Sequence, residues 1–381
     1  MASQKRVGIF YNYNENWIGG AYYIQNLIRS LNCLPKAEQI QLHILAKDRA
    51  LFQELQKATA YPKLKFIQYQ PQFNKIERFV NKVSLKLFRK KLILKKIKLD
   101  WAFPLYAIPQ DLQHIKELVF WIPDFQEKYL PAFFSPEEVK NRQSSYHNMV
   151  ALDYPIVFSS NSALNDFKTF FPDAKNPVSV LQFAVVHPDL KSNDIDAVKL
   201  KYGISGEYFF SPNQFWQHKN QIALIEAAKI LKEQGIVVKI IFTGKEHDYR
   251  NPDYTANLKQ KVLDYQLENN ILFLGFIDRV DQLVLMKNAQ AVIQPSLFEG
   301  WSTVVEDAKA LNQTLIVSNI NVHKEQLGDK GYFFAPDDYA ELASKIVEVM
   351  EKPANKLRYD LDYSVNIEKF ALNLKSLITN N

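Results

Sequence analysis

The sequence predicts an α/β protein with two tandem, doubly wound domains that face a central cleft. A chain of 381 residues is too long for one typical core, and a hydrophobic content of 47% is enough to fill two. Short β-branched or aromatic runs alternate with helical patterns almost from end to end, which is typical of parallel strands joined by crossover helices. The alternation pauses once, in a polar stretch at residues 184–206, which predicts the domain boundary.

The first domain is expected over residues 1–186. Its helical patterns include YYIQNLIRSL, PEEVKNRQSSYHNMVAL and SALNDFKTFF. Its predicted strands are RVGIF (6–10), IQLHIL (40–45), KFIQY (65–69), LDWAF (99–103), ELVFWI (117–122), PIVFSS (155–160) and VSVLQ (178–182).

The second domain is expected over residues 187–365 and repeats the same alternation. Its helical patterns are QIALIEAAKILKEQG, YTANLKQKVLDYQLE, VDQLVLMKNA, TVVEDAKAL and DYAELASKIVEVM. Its predicted strands are EYFFS (207–211), VVKIIFTG (237–244), NILFLG (270–275), AVIQPS (291–296), TLIVS (314–318) and YFF (332–334). In open parallel sheets ligands bind beyond the carboxyl ends of the strands, so the motifs should line a cleft between the domains.

The positive charge of the chain is concentrated in one segment. The formal net charge is +6, but residues 75–98 alone hold ten Lys or Arg and one acid. Apolar residues recur there near helical spacing, which predicts a basic amphipathic helix. Two interpretations stay open: a solvated helix packed on its own domain, or a surface for anionic lipid or a phosphorylated acceptor. Nucleic acid is disfavoured because exposed aromatic residues are not interleaved with the cations.

The cysteine content and the N-terminus predict a cytoplasmic protein. Cys33 is the single cysteine, which excludes an intramolecular disulfide framework and any Cys-rich metal site. No apolar stretch follows the basic residues of MASQKRVGIF, and no run of about 18 apolar residues occurs. We therefore expect neither a signal peptide nor a membrane span.

The loop LFEGW follows the predicted strand AVIQPS and precedes a helix that starts at Ser302 or Thr303. Unbonded N–H groups at a helix N-terminus attract anions, and Gly300 allows close approach, so the loop is a candidate diphosphate site. Glu299 would lie beside it and accept hydrogen bonds from sugar hydroxyls. The alternative is an ordinary helix cap.

Three further loops lie at equivalent strand ends. SPNQFWQHKNQ (211–221) presents Lys219, which reaches a phosphate as a point charge, or is a surface lysine beside a cap. NENWIGGAYYIQNL (14–27) carries Gly19 and Gly20, which bring backbone close to a ligand or form a turn. WIPDFQEKYLP (121–131) presents Asp124, which orients a hydroxyl nucleophile or caps a turn.

The combined motifs resemble the retaining glycosyltransferases of family four, the group 1 transferases with two Rossmann-like domains in the GT-B architecture. The resemblance covers nearly the whole chain: IGGAYY, WIPDFQEKYLPAFFS, VFSSNSALNDF, FWQHKNQIALIEA, FTGKE, NILFLGFI and PSLFEGWSTVVEDAKAL followed by VSNINVHKEQLGD. It implies that a C-terminal helix over residues 366–381 packs back on the first domain.

The resemblance also implies roles for particular residues. Glu299 would contact the donor sugar, Asp307 the ribose, and Lys219 with the backbone of Gly300–Thr303 the diphosphate. Asp124 would act at the acceptor hydroxyl. The other implied donor-binding residues are Gly19, Gly20, Asn213, Gly244, Phe276, Trp301, Ser302 and Thr303.

The sequence departs from the family pattern at three positions. The second acid is Asp307 instead of glutamate, with Glu306 adjacent, so either could contact the ribose; the two point about 100° apart and only one can face the cleft. Gln214 stands where many members have an arginine, and Pro123 stands where a histidine usually precedes Asp124.

The activity implied is transfer of a sugar from a UDP- or GDP-sugar to a saccharide or lipid-linked acceptor, in bacterial surface polysaccharide or glycan synthesis. No metal or cofactor is expected, because cationic groups stabilise the leaving diphosphate. The protein would be cytoplasmic, peripheral on the inner face of the membrane. Two alternatives are an epimerase acting on nucleotide sugars and a non-catalytic nucleotide-sugar-binding protein.

Overall fold

The computed structural model describes residues 5–13, 18–69, 73–190, 193–352 and 362–379. The predicted α/β class is confirmed, because the described residues form two parallel sheets flanked by helices. Residues 14–17, which open the loop NENWIGGAYYIQNL, and residues 353–361, which precede the predicted boundary at residue 365, lie outside this description. The division between residues 186 and 187 stays a prediction.

The first sheet has seven parallel strands in the order β3-β2-β1-β4-β5-β6-β7 within the described residues. The strand order reverses between β1 and β4, and open sheets bind ligands at such a switch point. The strands are β1 Val7–Phe10, β2 Leu42–Ala46, β3 Leu64–Gln68, β4 Trp101–Leu105, β5 Glu117–Ile122, β6 Ile156–Phe158 and β7 Val178–Val180.

The second sheet has six parallel strands in the order β10-β9-β8-β11-β12-β13 over the described part of the chain. Its order reverses between β8 and β11, so the loops that follow these two strands meet at one edge. The strands are β8 Phe209–Pro212, β9 Ile240–Thr243, β10 Ile271–Phe273, β11 Val292–Gln294, β12 Leu315–Ser318 and β13 Tyr332–Phe334.

Helices connect the strands and cover both faces of each sheet. In the first half of the chain they are α1 Ile18–Ser30, α2 Arg49–Thr59, α3 Lys75–Phe88, α4 Gln126–Tyr129, α5 Pro136–Val150 and α6 Asn161–Phe170. In the second half they are α7 Ile195–Tyr202, α8 Gln221–Glu233, α9 Tyr254–Asp264, α10 Arg279–Lys287, α11 Thr303–Ala310, α12 Asn321–Leu327, α13 Tyr339–Glu351 and α14 Ser364–Thr379.

The basic segment is helical only as far as Phe88, so the prediction of a helix over residues 75–98 is wrong in its second half. Arg89 adopts a left-handed conformation (φ 53°) and its N–H bonds the Leu85 carbonyl, which ends the helix. The Asn81 side chain then hydrogen-bonds both the N–H and the carbonyl of Ile93. The chain over residues 89–98 therefore turns and runs beside α3 instead of extending the helix.

Helix α14 packs on the first domain although it follows the second in sequence. Phe370, Leu374 and Ile378 are buried in the same core as Ile24 and Leu27 of α1. The Ile378 carbonyl also accepts a hydrogen bond of 2.6 Å from Lys5 Nζ. The C-terminal segment thus connects the two domains a second time.

Helices in the described portion of the chain are too short or too polar to cross a lipid bilayer.

Candidate active site

A cavity of about 490 Å³ lies between the two domains at the carboxyl ends of their strands. It is lined by residues of both domains, as the doubly wound topology predicts. The sequence-predicted site residues that line it are Gly19, Asp124, Lys219, Glu299, Gly300, Trp301, Ser302 and Thr303.

The N-terminus of α11 opens into this cavity. Ser302 is the N-cap residue: its hydroxyl accepts from the Val305 N–H at 3.4 Å. Gln326 clamps the same turn, because its side chain accepts from the Ser302 N–H and donates to the Ser302 carbonyl. The N–H groups of Thr303 and Val304 have no hydrogen-bond partner among the described residues, and both residues line the cavity. This arrangement favours an anion.

Lys219 and Glu299 form a buried ion pair at the base of the cavity, with 2.6 Å between Lys219 Nζ and Glu299 Oε1. Gln294 and Ser296 donate to the same oxygen at 2.8 and 2.7 Å. Oε1 accepts all the hydrogen bonds that Glu299 makes to described residues, so Oε2 is left for a ligand hydroxyl.

The local chain holds Lys219 in this position. It ends a short 3-10 turn, Gln217–Lys219, and Asn220 follows in a left-handed conformation (φ 58°). The Asn220 side chain donates to the carbonyls of Pro295 and Pro336. The loop after β8 is thereby tied to the loop after β11, which brings Lys219 and Glu299 together.

The charges around Glu299 keep it ionised. Burial alone would raise the pKa of its carboxyl, but Lys219, His218 and His323 outweigh burial and lower this pKa to about 2. Burial, reinforced by the charge of Lys219, lowers the pKa of His218 to about 3. The site therefore holds a carboxylate, an ammonium group and a neutral imidazole near pH 7.

Asp124 faces the α11 N-terminus from the first domain. A Cβ atom on Gly300 would lie 2.5 Å from the Pro123 carbonyl oxygen and 3.1 Å from Asp124 Oδ2, so only glycine fits here. Asp124 Oδ1 accepts from the Gln126 N–H at 3.1 Å. The carboxylate thus lies against Gly300, next to the N-terminus of α11.

Asp307 and Glu306 are both buried and both bonded to protein groups. Asp307 accepts from Arg279 at 2.6 and 2.7 Å and contacts His187 Nε2 at 2.8 Å. Glu306 bonds Tyr363, Gln326 and Lys309. Neither lines the cavity, so a ribose contact by Asp307 requires Arg279 or His187 to yield one of its hydrogen bonds.

The other predicted donor-binding residues lie around the cavity and do not line it. Asn213 is buried and donates to Gln294 Oε1, through which it supports Glu299. Gly244 (φ 145°) packs against the Asn213 carbonyl, where a Cβ would lie 2.0 Å away. Phe276 is exposed beyond β10, and Gly20 is buried in the first turn of α1.

Two arginines that sequence reasoning missed also line the cavity. Arg250, from the loop after β9, has its guanidinium 4.0 Å from the centre of the Phe134 ring, and Arg142 of α5 lies 5.0 Å from the same ring. Arg250 bonds Glu138 through Nε, and Arg142 lies 3.4 Å from Glu127. Neither lies in one of the loop motifs singled out from the sequence, because each reaches the cavity through contacts with residues that are distant in sequence.

Metal ligands are not grouped at the site. Within the described ranges no three His, Cys, Asp or Glu side chains are arranged to hold a metal ion.

The family profile described as glycosyl transferases group 1 matches residues 196–365, which include β8 to β13 and the loops that carry Lys219 and Glu299. This domain belongs to the group 1 glycosyltransferases. The family that the sequence motifs indicated is thereby confirmed.

Two curated relatives of the chain are named as glycosyltransferases. The chain is 27% identical over 172 residues to the O-antigen chain mannosyltransferase RfbU of Salmonella typhimurium, a match that covers 45% of each protein. It is 27% identical over 146 residues to the UDP-Gal:alpha-D-GlcNAc-diphosphoundecaprenol alpha-1,3-galactosyltransferase of Escherichia coli, covering 38% of this chain and 36% of that protein. Each match spans less than half of the relative's length.

A solved structure shows the fold over both domains. The crystal structure of Anabaena Alr3699/HepE in complex with UDP and glucose superimposes with a TM-score of 0.64 at 18% identity, covering 98% of this chain and 96% of that one. The predicted GT-B architecture is confirmed.

Proposed function

We propose that this protein is a retaining glycosyltransferase that moves a hexosyl group from a nucleotide diphosphate sugar to a hydroxyl of a saccharide or lipid-linked acceptor. The observation that carries the proposal is one cavity that combines Lys219, the open N-terminus of α11 and Glu299. Surface polysaccharide or glycan synthesis in bacteria, on the inner face of the membrane, is the process that fits the curated relatives.

The donor binds with its diphosphate in the notch between Lys219 and α11. As the bond to the sugar breaks, charge accumulates on the leaving diphosphate, and preorganised N–H groups and an ammonium stabilise it. Arg250 supplies a further cation on the same cavity wall, which compensates for Gln214 at the position where many members have arginine. The donor sugar lies beside Glu299 Oε2, which accepts from its hydroxyl groups.

The acceptor binds on the wall formed by the first domain. Asp124 lies next to the N-terminus of α11, and Tyr106 and Trp121 line the wall of the first domain, where aromatic faces suit the apolar face of a sugar ring. Asp124 orients the acceptor hydroxyl towards the donor, and contact between the domains excludes water that would otherwise hydrolyse the donor.

Two similar proteins favour a uridine nucleotide as the donor. The Anabaena protein was crystallised with UDP and glucose, and the Escherichia coli relative is named for a UDP-Gal donor. UDP-sugars are therefore the first donors to test, with GDP-sugars second.

The test is an assay of nucleoside diphosphate release from a panel of UDP- and GDP-sugars, with and without saccharide and lipid-linked acceptors. Release that depends on an acceptor supports the transferase. Isomerised nucleotide sugar without release would instead identify an epimerase, and binding without chemical change would identify a non-catalytic binding protein.

A further inference from the structure

Helix α3 exposes its large apolar side chains and buries polar ones, the reverse of an ordinary amphipathic surface helix. Ile76, Phe79 and Leu87 are 75%, 67% and 66% exposed. The buried residues of this helix are Asn81 and Ser84. The helix therefore packs through its polar face and leaves its apolar stripe exposed.

The exposed apolar surface continues past the end of the helix. Phe88, the last residue of α3, is 64% exposed, and Leu92 beyond it is 65% exposed; the hydrogen bonds between Asn81 and Ile93 hold this part of the chain beside α3. We call α3 together with residues 89–98 the basic apolar patch. Contiguous exposed apolar groups of this size mark an interaction surface.

Cations surround these apolar groups. The patch contains ten Lys or Arg and one acid. That acid, Glu77, is already engaged: it closes the capping box of α3 with Asn74 and lies 3.3 Å from Lys95 Nζ. The exposed cations are Lys75, Arg78, Lys82, Lys86, Arg89, Lys90, Lys95, Lys96 and Lys98.

An anionic lipid surface is the partner that fits this combination of exposed apolar and cationic side chains. Apolar side chains enter the boundary between headgroups and acyl chains, while long cationic side chains reach the anionic headgroups. A second copy of the chain would bring the same nine excess positive charges face to face, which opposes self-association through this patch.

The patch is hydrogen-bonded to the segment that follows β4, which also carries a residue of the cavity wall. The Gln110 side chain bonds both the N–H and the carbonyl of Lys91, and Lys91 Nζ lies 3.7 Å from Asp111. Gln110 and Asp111 belong to the loop that follows β4 and begins at Tyr106, a residue lining the cavity. A bilayer bound at the patch thus lies beside the acceptor side of the cleft.

We propose that the basic apolar patch docks the protein on an anionic membrane surface by inserting Phe79, Leu87 and their neighbours between headgroups. The docking does not depend on the glycosyl transfer proposed above, since it uses residues outside the cavity. It deepens that proposal in one respect: the acceptor side of the cleft is held at the lipid surface.

The experiment is co-sedimentation of the full chain with phosphatidylcholine vesicles that either contain or lack phosphatidylglycerol. The wild type should bind only the anionic vesicles, and added salt should weaken binding. Replacing Lys82, Lys86, Arg89 and Lys90 by Gln should weaken binding by up to roughly a thousandfold. A Phe79→Ser/Leu87→Ser variant, with its charge intact, should weaken binding by roughly tenfold or more.

The matched control replaces four exposed lysines of the same domain outside the patch by Gln: Lys116, Lys140, Lys168 and Lys175. Its net charge changes equally, and its vesicle binding should stay near that of the wild type. Thermal unfolding verifies that each variant is folded, and a single Phe79→Ser variant replaces the double one if that fails. Equal loss in the control, unchanged binding of both patch variants, or a dimer that Phe79→Ser dissociates would overturn the proposal.

Discussion

The pair formed by Lys219 and Glu299 sets the chemistry of the cavity at the scale of single residues. One proton of the ammonium group bonds Glu299 Oε1, and the other two can reach a phosphate. Gln294 and Ser296 hold the carboxylate in one orientation. In the proposed function the pair therefore links diphosphate binding to sugar binding.

We predict that Lys219→Met and Glu299→Gln each lower kcat/KM by roughly a hundredfold or more, since each removes a group placed at the reacting diphosphate or sugar. Lys219→Met should also destabilise the fold by about 3 kcal/mol, because it leaves a buried carboxylate without its cation. Urea unfolding and nucleoside diphosphate release measure the two effects.

The double variant separates structure from catalysis. Combining Lys219→Met with Glu299→Gln removes the unpaired charge, so stability should recover while activity stays low. Recovery of activity together with stability would mean that the pair serves only to hold the loops.

His323 makes the fold sensitive to acid. It is fully buried beneath the site, and its Nδ1 lies 2.9 Å from the Ser318 carbonyl oxygen. Burial lowers its pKa to about 4, against the ordinary 6.5. The pKa of His323 is lower in the folded protein than in the unfolded chain. As the pH falls from 6.5 towards 4, the unfolded chain therefore binds the proton first. The free energy of unfolding falls by up to about 3 kcal/mol over this range.

We predict that His323→Gln flattens this part of the stability profile. The measurement is urea unfolding at several pH values between 7 and 4. His218, whose pKa is also lowered by burial, leaves a residual slope of the same sign in the variant. Identical slopes in the two proteins would contradict the assignment.

At the scale of elements, helix α11 acts through its contact with the loop after β5. The chain at Gly300 meets Pro123 so closely that a Cβ would lie 2.5 Å from the carbonyl oxygen. We predict that Gly300→Ala separates the two loops and lowers kcat/KM by roughly a hundredfold, since small displacements of reacting groups have such effects.

The control for Gly300→Ala is Gly206→Ala. Gly206 has φ 71° and no atom within 4 Å of a built Cβ, so alanine there costs about 1 kcal/mol of stability through backbone strain. Its kcat/KM should match that of the wild type. An active Gly300→Ala variant would show that the two loops need not touch.

The strands were predictable from sequence because each is a short β-branched or aromatic run, most of them buried, whose pattern does not depend on distant residues. The end of α3 at Phe88 was not predictable from sequence, because the left-handed position that ends the helix is occupied by Arg89 and not by a glycine. The turn is fixed by the hydrogen bond between Asn81 and Ile93. Helix α2 and helix α12 were not predicted either. Strand patterns thus allowed the parallel α/β arrangement to be predicted, whereas tertiary hydrogen bonds determine where α3 ends.

The site was predictable where its residues lie in loops at strand ends, as Lys219 and Glu299 do. It was not predictable where a partner comes from another element. The sequence shows Asp307 at the family's spacing, but the Arg279 and His187 that occupy it are distant in sequence. The positions of Arg250 and Arg142 at the cavity were not predictable for the same reason.

At the scale of the whole molecule, side chains of one domain complete structure in the other. Glu325 of α12 accepts from the N–H groups of Asn161 and Ser162 at 2.7 and 2.9 Å, at the N-terminus of α6 in the first domain. Gln182 donates to the same carboxylate at 2.6 Å. Tyr249 donates to Glu138 across the cleft at 2.7 Å. These bonds hold the domains together around the cavity.

We predict that Glu325→Ala loosens domain closure and lowers kcat/KM by roughly tenfold, with a stability loss of about 1 kcal/mol from the lost hydrogen bonds to the first turn of α6, which Ser160 still caps. Small-angle X-ray scattering should show a larger radius of gyration. Asp48→Ala is the matched control, because Asp48 caps α2 within one domain. The Asp48→Ala variant should lose a similar amount of stability and keep the kcat/KM and the radius of gyration of the wild type. Equal losses of activity in both variants would argue against a role of Glu325 in domain closure.

The structure of the protein bound to a nucleoside diphosphate tests the central claim most directly. The account predicts that the diphosphate oxygens lie within hydrogen-bond distance, about 3 Å, of Lys219 Nζ and of the Thr303 and Val304 N–H groups. A diphosphate bound away from the N-terminus of α11, with Lys219 still paired only to Glu299, would contradict it.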